Sequence, residues 1–166
     1  MTKREQCEIL YSKAFGEDRE FDKMLFDLFF DNVETLEKDG IVAAMYFKIP
    51  CVLNLNGNKS RAYYIYAVTT HNDYRHQGLM SKLFEDTQKE DAFYFLKPSS
   101  EGVIKFYTQA NFKQIIGMRS VCDAVIEVDD NFKKLSALCD KPHDTYPIMI
   151  KGAPYTDKLT FEYTLE

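Results

Sequence analysis

Tryptophan is missing from this 166-residue chain, and residues that interrupt regular structure are scarce, with seven glycines and five prolines. That scarcity excludes a collagen-like, linker-like or low-complexity chain, and no internal repeat suggests a stacked array. The cysteines are Cys7, Cys51, Cys122 and Cys139. None forms a C-x-x-C pair and their spacing fits neither a zinc site nor a small disulfide scaffold, so free thiols in a reducing compartment are expected. No run approaches the roughly 20 apolar residues of a membrane span. The opening Thr2-Lys3-Arg4-Glu5 has no apolar export stretch, which points to a cytoplasmic protein with no membrane partner. A basic patch is lacking too. The net charge is −5, with cations scattered among acids, so no nucleic-acid partner is expected.

Several chemistries are excluded by absent motifs. There is no G-x-x-x-x-G-K-[ST] loop, no G-x-G-x-x-G after a strand, no S-x-x-K spacing and no G-x-S-x-G elbow, which leaves common nucleotide sites and serine nucleophiles unsupported. His71, His76 and His143 lack the i, i+4 spacing of a helical zinc pair, and no metal is inferred.

What the chain does have is apolar mass, 45% hydrophobic with 14% aromatic. That is enough for one substantial core, so a single domain over 1–166 is expected. Thr2 and Glu5 have capping-box spacing, and Cys7, Leu10, Tyr11, Ala14 and Phe15 follow at helical intervals up to Gly16. Asp18 can cap a second helix carrying Phe21, Met24, Leu25, Leu28 and Phe29, while Phe26 and Phe30 stand off that stripe and predict burial on two sides, with a helix wall facing an apolar substrate pocket as the alternative. Asp39-Gly40 and Asn56-Gly57 are hairpin turns between predicted strands at 33–37, 41–55 and 61–69, with Pro50 marking a bend or an edge. A helix through Leu79, Met80, Leu83, Phe84 and Thr87 follows, then a buried strand at 92–96. Next comes a helix through Val103, Phe106, Tyr107 and Ala110 that Asn111 can end in the left-handed conformation, and Phe112 opens a strand. Later elements are an extended 125–128, a short helix at 131–138, and strands at 146–151 and 159–165. The alternation of strand and helix from Arg61 to about Gly117 after an antiparallel meander makes the class α/β, with a partly parallel sheet covered by helices.

The segment from Ala62 to Phe84 runs a strand into a basic, glycine-bearing turn and then directly into a helix. Helix N-termini leave about four N–H groups without partners inside the helix, and a glycine lets a diphosphate approach them. Arg75-His76-Gln77-Gly78-Leu79-Met80 resembles the acyl-CoA signature Q/R-x-x-G-x-G/A of the GNAT superfamily of N-acyltransferases, departing at Met80. Phe106-Tyr107-Thr108-Gln109-Ala110-Asn111-Phe112 resembles that family's F-Y-x-x-x-G-F segment, with Asn111 in place of glycine. The helix-first start and R-x-x-G-L-M turn look nearest to the Eis-like group.

The resemblance covers roughly Phe15 to Gly117. It implies a GNAT-like mixed, partly parallel central sheet of about six or seven strands flanked by about four helices, with acetyl-CoA as cosubstrate and an amine acceptor. It further implies that a splay between the strands ending at Thr69 and Leu96 admits the pantetheine arm. Ala67, Val68 and Thr69 would line that arm, and the amides from His76 through Gln77, Gly78, Leu79 and Met80 to Ser81 would hold the diphosphate. Arg75 adds charge or fixes the turn, a main-chain N–H near Val68 faces the oxyanion, and Tyr107 is the general acid. The strand carries no carboxylate base, which leaves His71, Glu101 and Glu166 as candidates beside water relays. Tyr63, Tyr64 and Tyr66 are read as sheet packing, with cation–π contact to an amine as the alternative. Met80, Asn111 and the missing base keep open a non-catalytic acyl-CoA sensor. Late strand edges keep open a protein-interaction module or a homodimer.

Overall fold

The computed structural model describes residues 1–55, 57–114, 124–139 and 148–152. Within them are five α-helices and seven strands. The chain gathers into two compact units, Met1–Ile49 with Ile65–Glu90, and Pro50–Tyr64 with Asp91–Glu166.

The first unit opens with helix α1 (Lys3–Phe15), started by the predicted box: Thr2 Oγ1 accepts the Glu5 N–H at 3.2 Å and the Glu5 carboxylate accepts the Thr2 N–H at 2.6 Å. Cys7, Leu10 and Tyr11 are buried, whereas Ala14 and Phe15, in the last turn before Gly16 (φ 87), are exposed. Asp18 caps α2 (Arg19–Phe29) by accepting the Phe21 N–H. Phe21, Leu25 and Phe29 are buried, and so is Phe26, whose ring meets Tyr11 and Phe47 edge-on. Of the two off-stripe phenylalanines, Phe26 is therefore core, whereas Phe30 is only half-buried in the short turn that follows the helix.

Strand β1 (Val33–Lys38) pairs antiparallel with β2 (Ile41–Leu55). Their turn places both Asp39 (φ 53) and Gly40 (φ 79) in the left-handed region, the geometry that matches strand twist in a two-residue hairpin. After β3 (Asn58–Thr70) and the turn comes α3 (Leu79–Thr87). Its far end is anchored. The buried Lys48 ammonium donates to the Thr87 carbonyl at 2.8 Å and to Glu90 at 2.6 Å, a cation at the negative end of the helix. The Thr87 hydroxyl donates to the Leu83 carbonyl at 2.6 Å, so Tyr46 is the donor in its 2.5 Å bond to that hydroxyl.

In the second unit, β3 pairs in parallel with β4 (Phe93–Leu96), from Ala62↔Phe93 to Tyr64↔Phe95, and all four β4 residues are buried. Helix α4 (Glu101–Gln109) ends at Asn111 (φ 69), where the Phe112 N–H reaches the Tyr107 carbonyl at 3.0 Å. Asparagine does here what glycine does in most such caps. Strand β5 (Lys113–Gln114) follows, then β6 (Ala124–Glu127), antiparallel to β2, and α5 (Asp130–Ser136), capped by Asp129. Finally β7 (Met149–Lys151) lies antiparallel between β4 and β5. The sheet order is β1-β2-β3-β4-β7-β5 with β6 beside β2. Parallel pairing thus joins β3 to β4, but β7 separates β4 from β5. Pro50 falls between the β1-paired part of β2, which ends at Phe47, and the β6-paired part, which begins at Val52. A residue without an N–H is tolerated there. Asn56, Gly117, Cys122, His143 and the strand expected at 159–165 lie outside the described residues.

Cys7 and Cys51 are buried and in no disulfide, and burial pushes their thiol pKa values up to about 11 and about 12. Since the thiolate is the nucleophile, both should resist iodoacetamide at pH 8 in the native protein and react on addition of denaturant. Peptide mass spectrometry checks this, and rapid native alkylation of either would contradict the packing.

Candidate active site

The strand that leads into the turn is irregular where the sequence gives no warning. Ala67 has φ 53 inside β3, a left-handed residue without glycine's freedom. Such a kink takes the adjoining peptide groups out of ladder alignment. Burial along β3 marks Ala62 and Tyr64 and then Ile65, Ala67 and Thr69, a change of phase by one residue. The ladder with β4 covers Ala62 to Tyr64, and β3 runs on to Thr70. The three tyrosines are held by packing. Tyr63 stacks on Tyr94 and Tyr64 on Phe95, while Tyr66 leans on Phe47 and shares a 3.3 Å hydroxyl contact with Tyr11.

Beyond Thr70, a single helical turn (Asn72–Tyr74) is capped by His71, whose Nδ1 accepts the Asp73 N–H at 3.3 Å. The His71 N–H donates to the Ala43 carbonyl at 2.8 Å, tying the start of the loop to β2. Arg75 Nε donates to the Thr70 carbonyl at 3.3 Å, closing the loop on itself. His76 (φ 61) and Gly78 (φ 71) are both left-handed, with Gln77 between them, and Gly78 is the N-cap of α3. Alternation of this kind turns successive main-chain N–H groups toward one concavity, an anion-binding arrangement. The first α3 bond runs from the Lys82 N–H to the Gly78 carbonyl at 3.0 Å, so the amides of Leu79, Met80 and Ser81 precede the intrahelical ladder. A Cβ built on Gly78 meets nothing within 4 Å. The backbone at Gly78 is thus open to approach on the side a Cβ would occupy. Met80 is 7% exposed and belongs to the packing face with Leu83 and Phe84. Its departure from a small residue therefore does not crowd the turn.

A cleft of about 300 Å³ adjoins the turn, lined by Leu10, Lys13 and Ala14 of α1, by Thr69 to Asp73, and by Arg75. The hairpin tip braces the turn. Tyr74 donates to Asp39 at 3.0 Å and Lys38 donates to Gln77 Oε1 at 2.5 Å. Sequence reasoning missed Lys38, Asp39 and Tyr74, because nothing local couples positions so far apart in the chain.

The residues from Ala67 to Ser81 thus form one continuous strand, turn and helix start. Tyr107 belongs to the other unit. It is 8% exposed on α4, between the rings of Phe106 and Phe112, and burial raises its pKa well above the ordinary value. Its hydroxyl makes no hydrogen bond among the described residues. Of the candidate bases, His71 commits Nδ1 to the loop, Glu101 is exposed in the first turn of α4, and Glu166 lies outside the described residues. Among the described residues, no group of three or more His, Cys, Asp or Glu is arranged for a metal ion.

The family model described as an acetyltransferase (GNAT) domain matches residues 3–115. The chain belongs to the GNAT acetyltransferase family. Among curated proteins none matches. Solved structures with the GNAT fold include a probable N-acyltransferase of Enterococcus faecalis V583, at 20% identity and TM-score 0.58, covering 68% of this chain and 30% of that one. A GCN5-related N-acetyltransferase of Anabaena variabilis ATCC 29413 gives 16% identity and TM-score 0.56, covering 66% and 29%. A GNAT acetyltransferase of Brucella melitensis in complex with acetyl-CoA gives 14% identity and TM-score 0.50, covering 78% and 88%. The chain therefore spans less than a third of the first two proteins and most of the third. No helix among the described residues is long and apolar enough to cross a membrane.

Proposed function

We propose that this GNAT domain moves an acetyl group from acetyl-CoA to a primary amine of a small molecule or polypeptide by direct attack in a ternary complex, acting in the cytoplasm as one catalytic domain over 1–166. The observation that carries the reading is the turn at His76 to Ser81, where two left-handed residues lead into a helix start and a Cβ on Gly78 would meet nothing within 4 Å. Those amides would hold the diphosphate of the cosubstrate. Ala67, Val68 and Thr69 would pair with its pantetheine arm along the part of β3 beyond the β4 ladder. Arg75 fixes the turn through the Thr70 carbonyl rather than reaching out alone.

The positive φ at Ala67 would turn main-chain groups out of ladder alignment, and an N–H near Val68 would stabilise the oxyanion formed when the amine adds to the thioester carbon. Tyr107 would pass its proton to the departing sulfur. Its raised pKa keeps it protonated in the neutral range, and its hydroxyl has no competing acceptor among the described residues. The helix-first start and the Arg75-to-Met80 turn support a place nearest the Eis-like group.

The test is release of free CoA thiol from acetyl-CoA with a panel of amines and peptides. Amine-dependent release is expected, with the acetylated product confirmed by mass. A melting-temperature rise with acetyl-CoA but no turnover across the panel would instead favour a sensor.

A further inference from the structure

We propose that Lys38, at the tip of the β1–β2 hairpin, is a side-chain contact for the phosphates of the coenzyme, supplementing the main-chain donors of the turn. The inference rests on the acetyl-CoA reading above. Lys38 is the last residue of β1, and its Nζ reaches across the fold to donate to Gln77 Oε1 at 2.5 Å. Gln77 sits between the two left-handed residues of the turn, and its own amide nitrogen donates to the Asp73 carbonyl at 3.2 Å. The same ammonium lies 5.4 Å from the centre of the Tyr74 ring, and Tyr74 is held by its bond to Asp39. The cation is therefore brought to the turn by one element and steadied there by two others.

Its partners are neutral. Lys82, on α3 itself, is engaged by Asp86 at 2.9 Å, and Lys48 at the other end of the helix by Glu90 at 2.6 Å. Lys38 has no carboxylate within 4.0 Å among the described residues. An amide oxygen and an aromatic face orient an ammonium without cancelling its charge. A phosphate arriving at the neighbouring main-chain donors would supply the missing countercharge, at the modest strength of a solvent-screened contact.

The experiment is calorimetric titration of coenzyme A and of 3′-dephospho-coenzyme A into wild type, Lys38→Gln and Lys38→Arg at low and high salt. Lys38→Gln should raise the Kd for coenzyme A about fivefold to tenfold at low salt, a loss that shrinks to about twofold in 1 M salt as the charges are screened. Lys38→Arg should retain most of the affinity. Persistence of the loss with the dephospho form assigns the diphosphate as partner, and its disappearance assigns the 3′-phosphate. An unchanged Kd in Lys38→Gln, or a loss of equal size at both salts, overturns the proposal while leaving the acetyl-CoA reading intact. A wild type that takes up no coenzyme A overturns both.

Discussion

Tyr107→Phe is expected to lower kcat for CoA release by about two orders of magnitude while leaving the KM for acetyl-CoA within about twofold, the pattern of a lost general acid. The substitution removes one oxygen and keeps the ring between Phe106 and Phe112. Because the hydroxyl has no hydrogen-bond partner among the described residues, stability should change by less than about 1 kcal/mol. The pH dependence follows from burial, which raises the Tyr107 pKa above 10.0. The donor form therefore persists through the neutral and mildly alkaline range, and no alkaline fall in rate below pH 10 should trace to this residue. Folding is linked in the same direction. The stability associated with this group is fully present below its ordinary pKa of 10.0 and declines as pH rises from there toward the folded value, since the unfolded chain gives up the proton first. A Phe variant with wild-type kcat on the best amine would remove Tyr107 from the chemistry.

Gly78→Ala should weaken acetyl-CoA binding by at least about tenfold and cost about 1–2 kcal/mol of stability. The two effects have separate origins. The stability loss comes from φ 71, a conformation a Cβ disfavours, and not from collision, since nothing lies within 4 Å of the added atom. The affinity loss is expected because glycine is what lets a diphosphate approach the main-chain donors closely, and a methyl group at Gly78 would stand in its way. Gly57→Ala provides the comparison: φ is 85, again with nothing within 4 Å, and the position is remote in sequence from the turn. It should lose similar stability and keep coenzyme affinity. Urea unfolding and calorimetry on both variants separate the effects. Equal affinity in Gly78→Ala and wild type would reduce the glycine to a backbone requirement.

Much of this was legible because the signals are local. The Thr2–Glu5 box, the Asp39-Gly40 hairpin and the left-handed cap at Asn111 each follow from what a side chain or its absence does to its own few residues of backbone. The strand, turn and helix around Gly78 are legible for the same reason, although sequence alone left open which way Met80 points. Its burial beside Leu83 and Phe84 settles that. Four features were not legible. Ala67 adopts a positive φ that nothing in alanine's chemistry favours, so surrounding packing must impose it. The insertion of β7 between β4 and β5 joins segments far apart in the chain, and no periodicity encodes which strand a short apolar run chooses. The brace of Lys38 and Asp39 on Gln77 and Tyr74 is likewise a meeting of distant positions whose residue types are ordinary surface choices. Ala14 and Phe15 continue a helical stripe in sequence but lie exposed, since periodicity marks a face without saying how far it stays covered.

The central claim is that main-chain donors of the turn grip the coenzyme's diphosphate. A ¹H–¹⁵N correlation titration of the labelled protein addresses it directly. On adding coenzyme A, amide protons from His76 to Ser81 should move downfield together, and S-acetylpantetheine, which lacks the diphosphate, should leave them in place. Saturable coenzyme binding that leaves those resonances unmoved would contradict the claim.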